Sequence, residues 1–318
     1  MIIGGTDVVY TVLHLIIVAS LGYFLRKRRI LLEQTDTFLT TLLVNVTFPC
    51  LTFSTILAQF DFSMTGTLGV LFLASLALFV IGIAVAVIPF PAFRRITYKK
   101  ELVGLIAFQN CAYIPMNIAL FIKNQAFRDK FLLYVFLYTA GFNLIMWSLG
   151  SFFIFRKKGE RFETMSLLTP PVSSVFISLA AVWLGISRFI PSIVLTSLKT
   201  IGDVSFFLSL LLLGSALAAV DVSTIKKRSV LFILLAFSLL KLMAVPGIVH
   251  LTATMIPIQG LLGYFILIEA AMPSAVSLVV VGSYRRANLH ILSAGIFLTT
   301  LMSAVTIPFW LSYYHRYM

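Results

Sequence analysis

Ten runs of predominantly apolar residues, each long enough to cross a bilayer or nearly so, follow one another along the 318-residue chain. They lie at about 7–25, 37–59, 67–90, 101–122, 131–155, 171–187, 194–219, 229–256, 259–282 and 289–312. A helix needs roughly 20 such residues to span the hydrocarbon core, and the backbone must satisfy its own hydrogen bonds there. The pattern therefore predicts an all-α polytopic membrane protein of ten transmembrane helices, and at 60% hydrophobic residues against 11% charged it excludes a soluble domain. The net charge of +13 does not point to nucleic acid, because the basic residues fall in short clusters between the apolar runs. Cys50 and Cys111 lie inside apolar runs and imply neither a disulfide framework nor a metal site.

The connections set the orientation. Seventeen basic residues fall on one side: Arg26–Arg29; Arg94, Arg95, Lys99 and Lys100; Arg156, Lys157, Lys158 and Arg161; Lys226, Lys227 and Arg228; Arg285 and Arg286. Only Lys123, Arg128, Lys130, Arg188 and Arg316 fall on the other. The positive-inside rule then puts both termini outside the cytoplasm of a plasma or inner membrane. The charged connection from Arg156 to the proline pair Pro170-Pro171 reads as the seam, with 156–170 a cytoplasmic linker between a first repeat (1–155) and a second (171–318). Five helices per half make the two halves opposite in topology.

Two of the runs are interrupted. In FQNCAYIPMNIAL (Phe108–Leu120) and IEAAMPSAVSL (Ile268–Leu278) a proline stands among polar residues in an otherwise apolar span. LVGLIAFQN answers LLGYFILIE at an offset of 159, which aligns Asn110 with Glu269. At 1.5 Å per residue, Asn110 lies about 14 Å inside span 4 and Glu269 about 15 Å inside span 9 from the opposite face. Interrupted segments at matching places in two halves point to a transporter's binding site. If the two breaks cross, the half-helices beyond them present unsatisfied N–H groups to one centre, which suits a carboxylate.

The candidate substrate-binding residues are accordingly Asn110, Tyr113, Pro115, Asn117, Pro273, Ser274 and Ser277. The asparagine amides act there either as donors to an anion or as partners of freed backbone. An ionised side chain at mid-bilayer costs a few kcal/mol, about 2.5–3.5 on insertion scales. Glu269 is thus a proton carrier, a cation ligand or the partner of Lys241, which is itself too deep in span 8 to snorkel. Gln109 joins these two as a coupling or ion candidate. Asn45, Asp203 and Asn143 are further polar residues at depth whose plainer role is hydrogen bonding between helices.

The residues around these positions resemble the auxin efflux carrier family, which groups with the bile acid:sodium symporters. The resemblance runs through EAAMPSAVSLVVVGSYRRANLHILSAGIFLTTLMSAVTIPFW (Glu269–Trp310), GYFLRKRRILLEQTDTFLTTLLVNVTFPCLTFSTI (Gly22–Ile56) and DVSFFLSLLLLGSAL (Asp203–Leu217). It implies a five-plus-five inverted repeat with broken crossover helices 4 and 9. It also implies a scaffold of helices 1, 2, 6 and 7, a transport domain of helices 3–5 and 8–10, an elevator-like motion and a homodimer. Where the family commonly has an asparagine seven residues before the proline of helix 4, Asn110 stands five before Pro115, and Asn117 is the alternative. The expected function is secondary transport of a small organic anion. No cofactor is expected beyond H+ or Na+ as coupling ion, and no partner beyond substrate, bilayer and a second copy. Sodium-coupled symport like that of the bile acid carriers is the nearer rival, and an intramembrane enzyme or a channel the farther one; no HExxH or paired intramembrane aspartates favour the enzyme.

Overall fold

The computed structural model describes residues 5–92, 96–155, 169–220, 226–253, 255, 260–284 and 287–314. The expected seam at 156–170 lies outside the described residues except for its last two, as do Arg94, Arg95, Arg285, Arg286 and Arg316 of the charge pattern. Among the described residues all regular structure is helical apart from one isolated antiparallel bridge.

The first half contains α1 (Gly5–Lys27), α2 (Glu33–Leu42), α3 (Phe48–Gln59), α4 (Thr65–Val87), α5 (Lys99–Ala107), α6 (Tyr113–Ala119) and α7 (Gln125–Ile145). The second contains α8 (Pro170–Trp183), α9 (Ser192–Ala218), α10 (Arg228–Leu239), α11 (Val245–Ala253), α12 (Gly260–Ala270), α13 (Leu278–Tyr284) and α14 (Leu289–Tyr314). π-helical turns at Leu43–Thr47 and Leu240–Ala244 join α2 to α3 and α10 to α11, and α7 runs on through a third at Met146–Ile154.

Among the described residues, seven stretches are long and apolar enough to cross a membrane. The other three expected spans differ from unbroken helices. α8 has 14 residues, about 21 Å of helix against a hydrocarbon core of roughly 30 Å. The spans expected at 101–122 and 259–282 are each two half-helices, α5 with α6 and α12 with α13.

Packing falls into two groups. α9 lies against α1 and α3, and α3 against α8. Gly22 and Gly214 permit the first of these contacts: a Cβ on Gly22 would meet the Leu211 carbonyl oxygen at 2.0 Å, and one on Gly214 the Ala19 oxygen at 1.8 Å. In the other group α4 packs on α5 and α7, and α14 on α5, α10 and α13. α6 meets α9 and α1, α7 meets α3 and α8, and α14 meets α1 and α9, where the groups touch.

Candidate functional site at the paired helix breaks

α5 ends at Ala107 and α6 begins at Tyr113; α12 ends at Ala270 and α13 begins at Leu278. The two interruptions meet. The Asn110 N–H donates to the Pro273 carbonyl at 2.7 Å, and the Ala275 N–H to the Phe108 carbonyl at 3.0 Å. These bonds flank an antiparallel bridge between Gln109 and Ser274. Backbone exposed by breaking a helix inside a membrane needs a partner, and here each break supplies the other's.

Side chains complete the tie. The Ser274 hydroxyl donates to the Leu105 carbonyl at 2.6 Å, taking an acceptor that the end of α5 leaves open. The Thr139 hydroxyl donates to the Cys111 carbonyl at 3.2 Å. Asn110 Oδ1 accepts from the N–H groups of Tyr113 at 3.1 Å and Ile114 at 3.4 Å. The side-chain oxygen of Asn110 thus acts as an acceptor capping the start of α6.

Pro115 does not make the first break. It lies inside the first turn of α6, after the interruption at 108–112. Its missing N–H costs little there, because first-turn N–H groups have no intrahelical partner. Pro273, by contrast, lies within its break and contributes its carbonyl to the pairing.

Glu269 is the next-to-last residue of α12, fully buried, and neither carboxylate oxygen has a hydrogen-bond partner. Lys241, equally buried in the π-turn between α10 and α11, is its nearby basic residue, and Cys111 and Tyr138 lie in the same neighbourhood. The Gln109 amide donates to the Tyr138 hydroxyl. Asn117 donates to the Tyr113 carbonyl at 2.8 Å and to the Ser209 hydroxyl of α9 at 3.1 Å, while its buried Oδ1 has no partner. Half-buried Ser277 approaches the Met146 sulfur at 3.6 Å.

The structure therefore brings Gln109, Asn110, Tyr113, Asn117, Lys241, Glu269, Pro273, Ser274 and Ser277 to one region. It does not bring Asp203, whose exposed carboxylate pairs with Lys199 one turn earlier on α9 at 2.8 Å. Asn45 is exposed in the π-turn before α3, and half-buried Asn143 lies near the end of α7. Sequence reading missed Tyr138, Thr139 and Ser209. The available signal was weak: Ser205 and Ser209 fall one turn apart on an apolar helix, and Tyr138 and Thr139 sit mid-run in span 5.

The family of membrane transport proteins, of the auxin efflux carrier type, matches this sequence over residues 7–166 and 154–311. The chain belongs to that family and is an integral membrane protein. It is also similar to an uncharacterized transporter of Methanocaldococcus jannaschii, 28% identical over 142 residues. That alignment covers 44% of this chain, and the chain spans less than half of the relative's length, 44%.

Proposed function

We propose that the protein is a secondary transporter of a small organic anion, in the first place a carboxylate, bound where the two helix breaks cross. The observation that carries this reading is the mutual pairing of the breaks beside Glu269, a buried carboxylate without a hydrogen bond. In this reading the chain crosses the membrane ten times as two inverted five-helix repeats, with α5–α6 and α12–α13 as crossover helices and both termini outside the cytoplasm. α1, α2–α3, α8 and α9 form a scaffold, and the remaining helices carry the site across it in an elevator motion, with two copies associating through their scaffolds.

The donors for an anion come from Lys241, the Asn110 amide nitrogen and the Tyr113 hydroxyl. Glu269 is the coupling residue. A carboxylate with two unpaired oxygens beside a buried lysine is stable only if its charge is matched in each state of the cycle. Taking up a proton on one side and releasing it on the other achieves that. The same two oxygens are free acceptors, which keeps a sodium-coupled symporter as the second reading.

Proteoliposomes decide between them. With a panel of radiolabelled carboxylates, proton coupling predicts uptake driven by a pH gradient in sodium-free buffer. Uptake that requires a sodium gradient selects the second reading, and the absence of counterflow for every carboxylate tested overturns the anion assignment.

A further inference from the structure

The first hairpin carries a group of charges that the transport reading does not use. α1 ends at Arg26-Lys27, and the chain reverses through Arg28, Arg29 and Ile30. The Ile30 N–H donates back to the Leu25 carbonyl at 2.9 Å and the Arg29 N–H to the Arg26 carbonyl at 3.0 Å. This is the hydrogen-bond pattern of a left-handed helix stop, whose pivotal position is ordinarily glycine. Here it is Arg29 at φ 59°, the only non-glycine with positive φ among the described residues. An L-residue is disfavoured in that conformation relative to glycine. Cations in the last turn are explained by the helix dipole, but the dipole does not account for arginine in glycine's place.

The four basic residues divide into two sets. Arg26 points inward: its Nη1 lies 3.2 Å from Asp36 Oδ2, which also accepts the Ser215 hydroxyl at 2.6 Å. That cluster fixes the hairpin to α2 and α9. Lys27, Arg28 and Arg29 are exposed and have no carboxylate partner among the described residues. The Lys27 amine stands 5.6 Å over the Tyr23 ring and the Arg28 guanidinium 5.0 Å over the Phe24 ring. Both rings are exposed one turn back along α1, and Ile30, Leu32 and Phe38 are exposed around the turn. Glu33, at the start of α2, is the nearest acidic residue in sequence on the outer face. The turn thus presents three unpaired cations above an apolar and aromatic skirt, the combination that suits the boundary between hydrocarbon and headgroups.

We propose that Lys27, Arg28 and Arg29 form a binding surface for the phosphate headgroups of anionic phospholipids, with Tyr23, Phe24 and Ile30 against the acyl chains. The surface lies on the half of the molecule that the transport reading holds still, and it needs neither Glu269 nor Lys241.

The test is native mass spectrometry of the purified full chain in detergent micelles doped with equal phosphatidylglycerol and phosphatidylcholine. It compares the natural protein with R29G and with K27Q/R28Q/R29G. The natural protein is expected to retain phosphatidylglycerol preferentially, and each removed charge to cost roughly fivefold in that preference. R29G should melt no lower than the natural protein while binding less. Equal retention of the two lipids by the natural protein, or an unchanged preference in the triple variant, overturns the proposal. Displacement of the lipid by millimolar inorganic phosphate at constant ionic strength also overturns it, by assigning the site to a soluble anion. Should the triple variant fail to fold, R29G alone decides.

Discussion

At the scale of single residues, the site contains two kinds of polar group. Ser274 and Asn110 Oδ1 are engaged with backbone and hold the breaks in place, whereas Glu269 and Asn117 Oδ1 are buried acceptors with nothing to accept. The first kind predicts a structural cost. Asn110→Ala should destabilise by about 1 kcal/mol, the worth of a lost N-terminal cap, and Asn110→Asp, which keeps the acceptor, should recover melting temperature but not transport if the amide nitrogen also meets the anion. Thermal unfolding and counterflow, measured side by side, separate the two roles. The second kind predicts compensation. Removing one member of a buried charge pair leaves the other unmatched, at a cost on the order of 3 kcal/mol, while removing both is far milder. Lys241→Met and Glu269→Gln should each lower the unfolding temperature, K241M/E269Q should recover most of the loss, and all three should lack transport driven by a pH gradient. A double variant as unstable as the sum of the singles would show that the two charges do not support one another.

At the scale of elements, Pro246 acts through the carbonyl that it leaves without an N–H partner. Pro246 frees the carbonyl of Leu242, four residues back, inside the π-turn that carries Lys241. The Trp310 indole of α14 donates to that carbonyl at 2.8 Å, and the Tyr314 hydroxyl to the carbonyl of Pro246 at 3.2 Å. Trp310→Phe should therefore cost about 1 kcal/mol by leaving a buried acceptor unpaired. Pro246→Ala, which restores an N–H for Leu242, should make W310F nearly silent when the two are combined. A double-mutant cycle in chemical or thermal unfolding reads this coupling, and strict additivity would refute it. The same local chemistry explains what the sequence made legible. The interrupted spans were visible because proline and amides inside an apolar run break the rule of backbone self-satisfaction. The place of the first interruption was not, because Pro115 fits the first turn of α6 and the chain opens ahead of it, where Phe108 and Asn110 can pair with the second break. That choice depends on a segment more than 160 residues away, as do the Asn117–Ser209 and Trp310–Leu242 bonds on partners 92 and 68 residues distant. Local periodicity carries no record of such partners.

At the scale of the whole molecule, the two packed groups differ in how they touch. Within the first, α1 and α9 meet backbone to backbone at Gly22 and Gly214, a contact that no side chain can cross. Such close approach favours a fixed interface. Between the groups, α6 reaches α9 through one side-chain hydrogen bond, from Asn117 to Ser209, which can be broken and remade at small net cost because such a bond contributes only about 1 kcal/mol. α9 offers an internal comparison, since one turn before Ser209 the Ser205 hydroxyl bonds Thr47 at 2.8 Å, within the group proposed to stay still. In a background lacking Cys50 and Cys111, the pairs T47C/S205C and N117C/S209C place crosslinks one turn apart on the same helix. If the site rides on α6 past a fixed α9, oxidation of N117C/S209C should stop counterflow and reductant should restore it, while oxidised T47C/S205C should transport at the rate of its reduced form. Transport that survives the N117C/S209C crosslink would mean that α6 does not move relative to α9. Loss of transport in both pairs would place the moving boundary elsewhere, inside the group held together by the glycine contact.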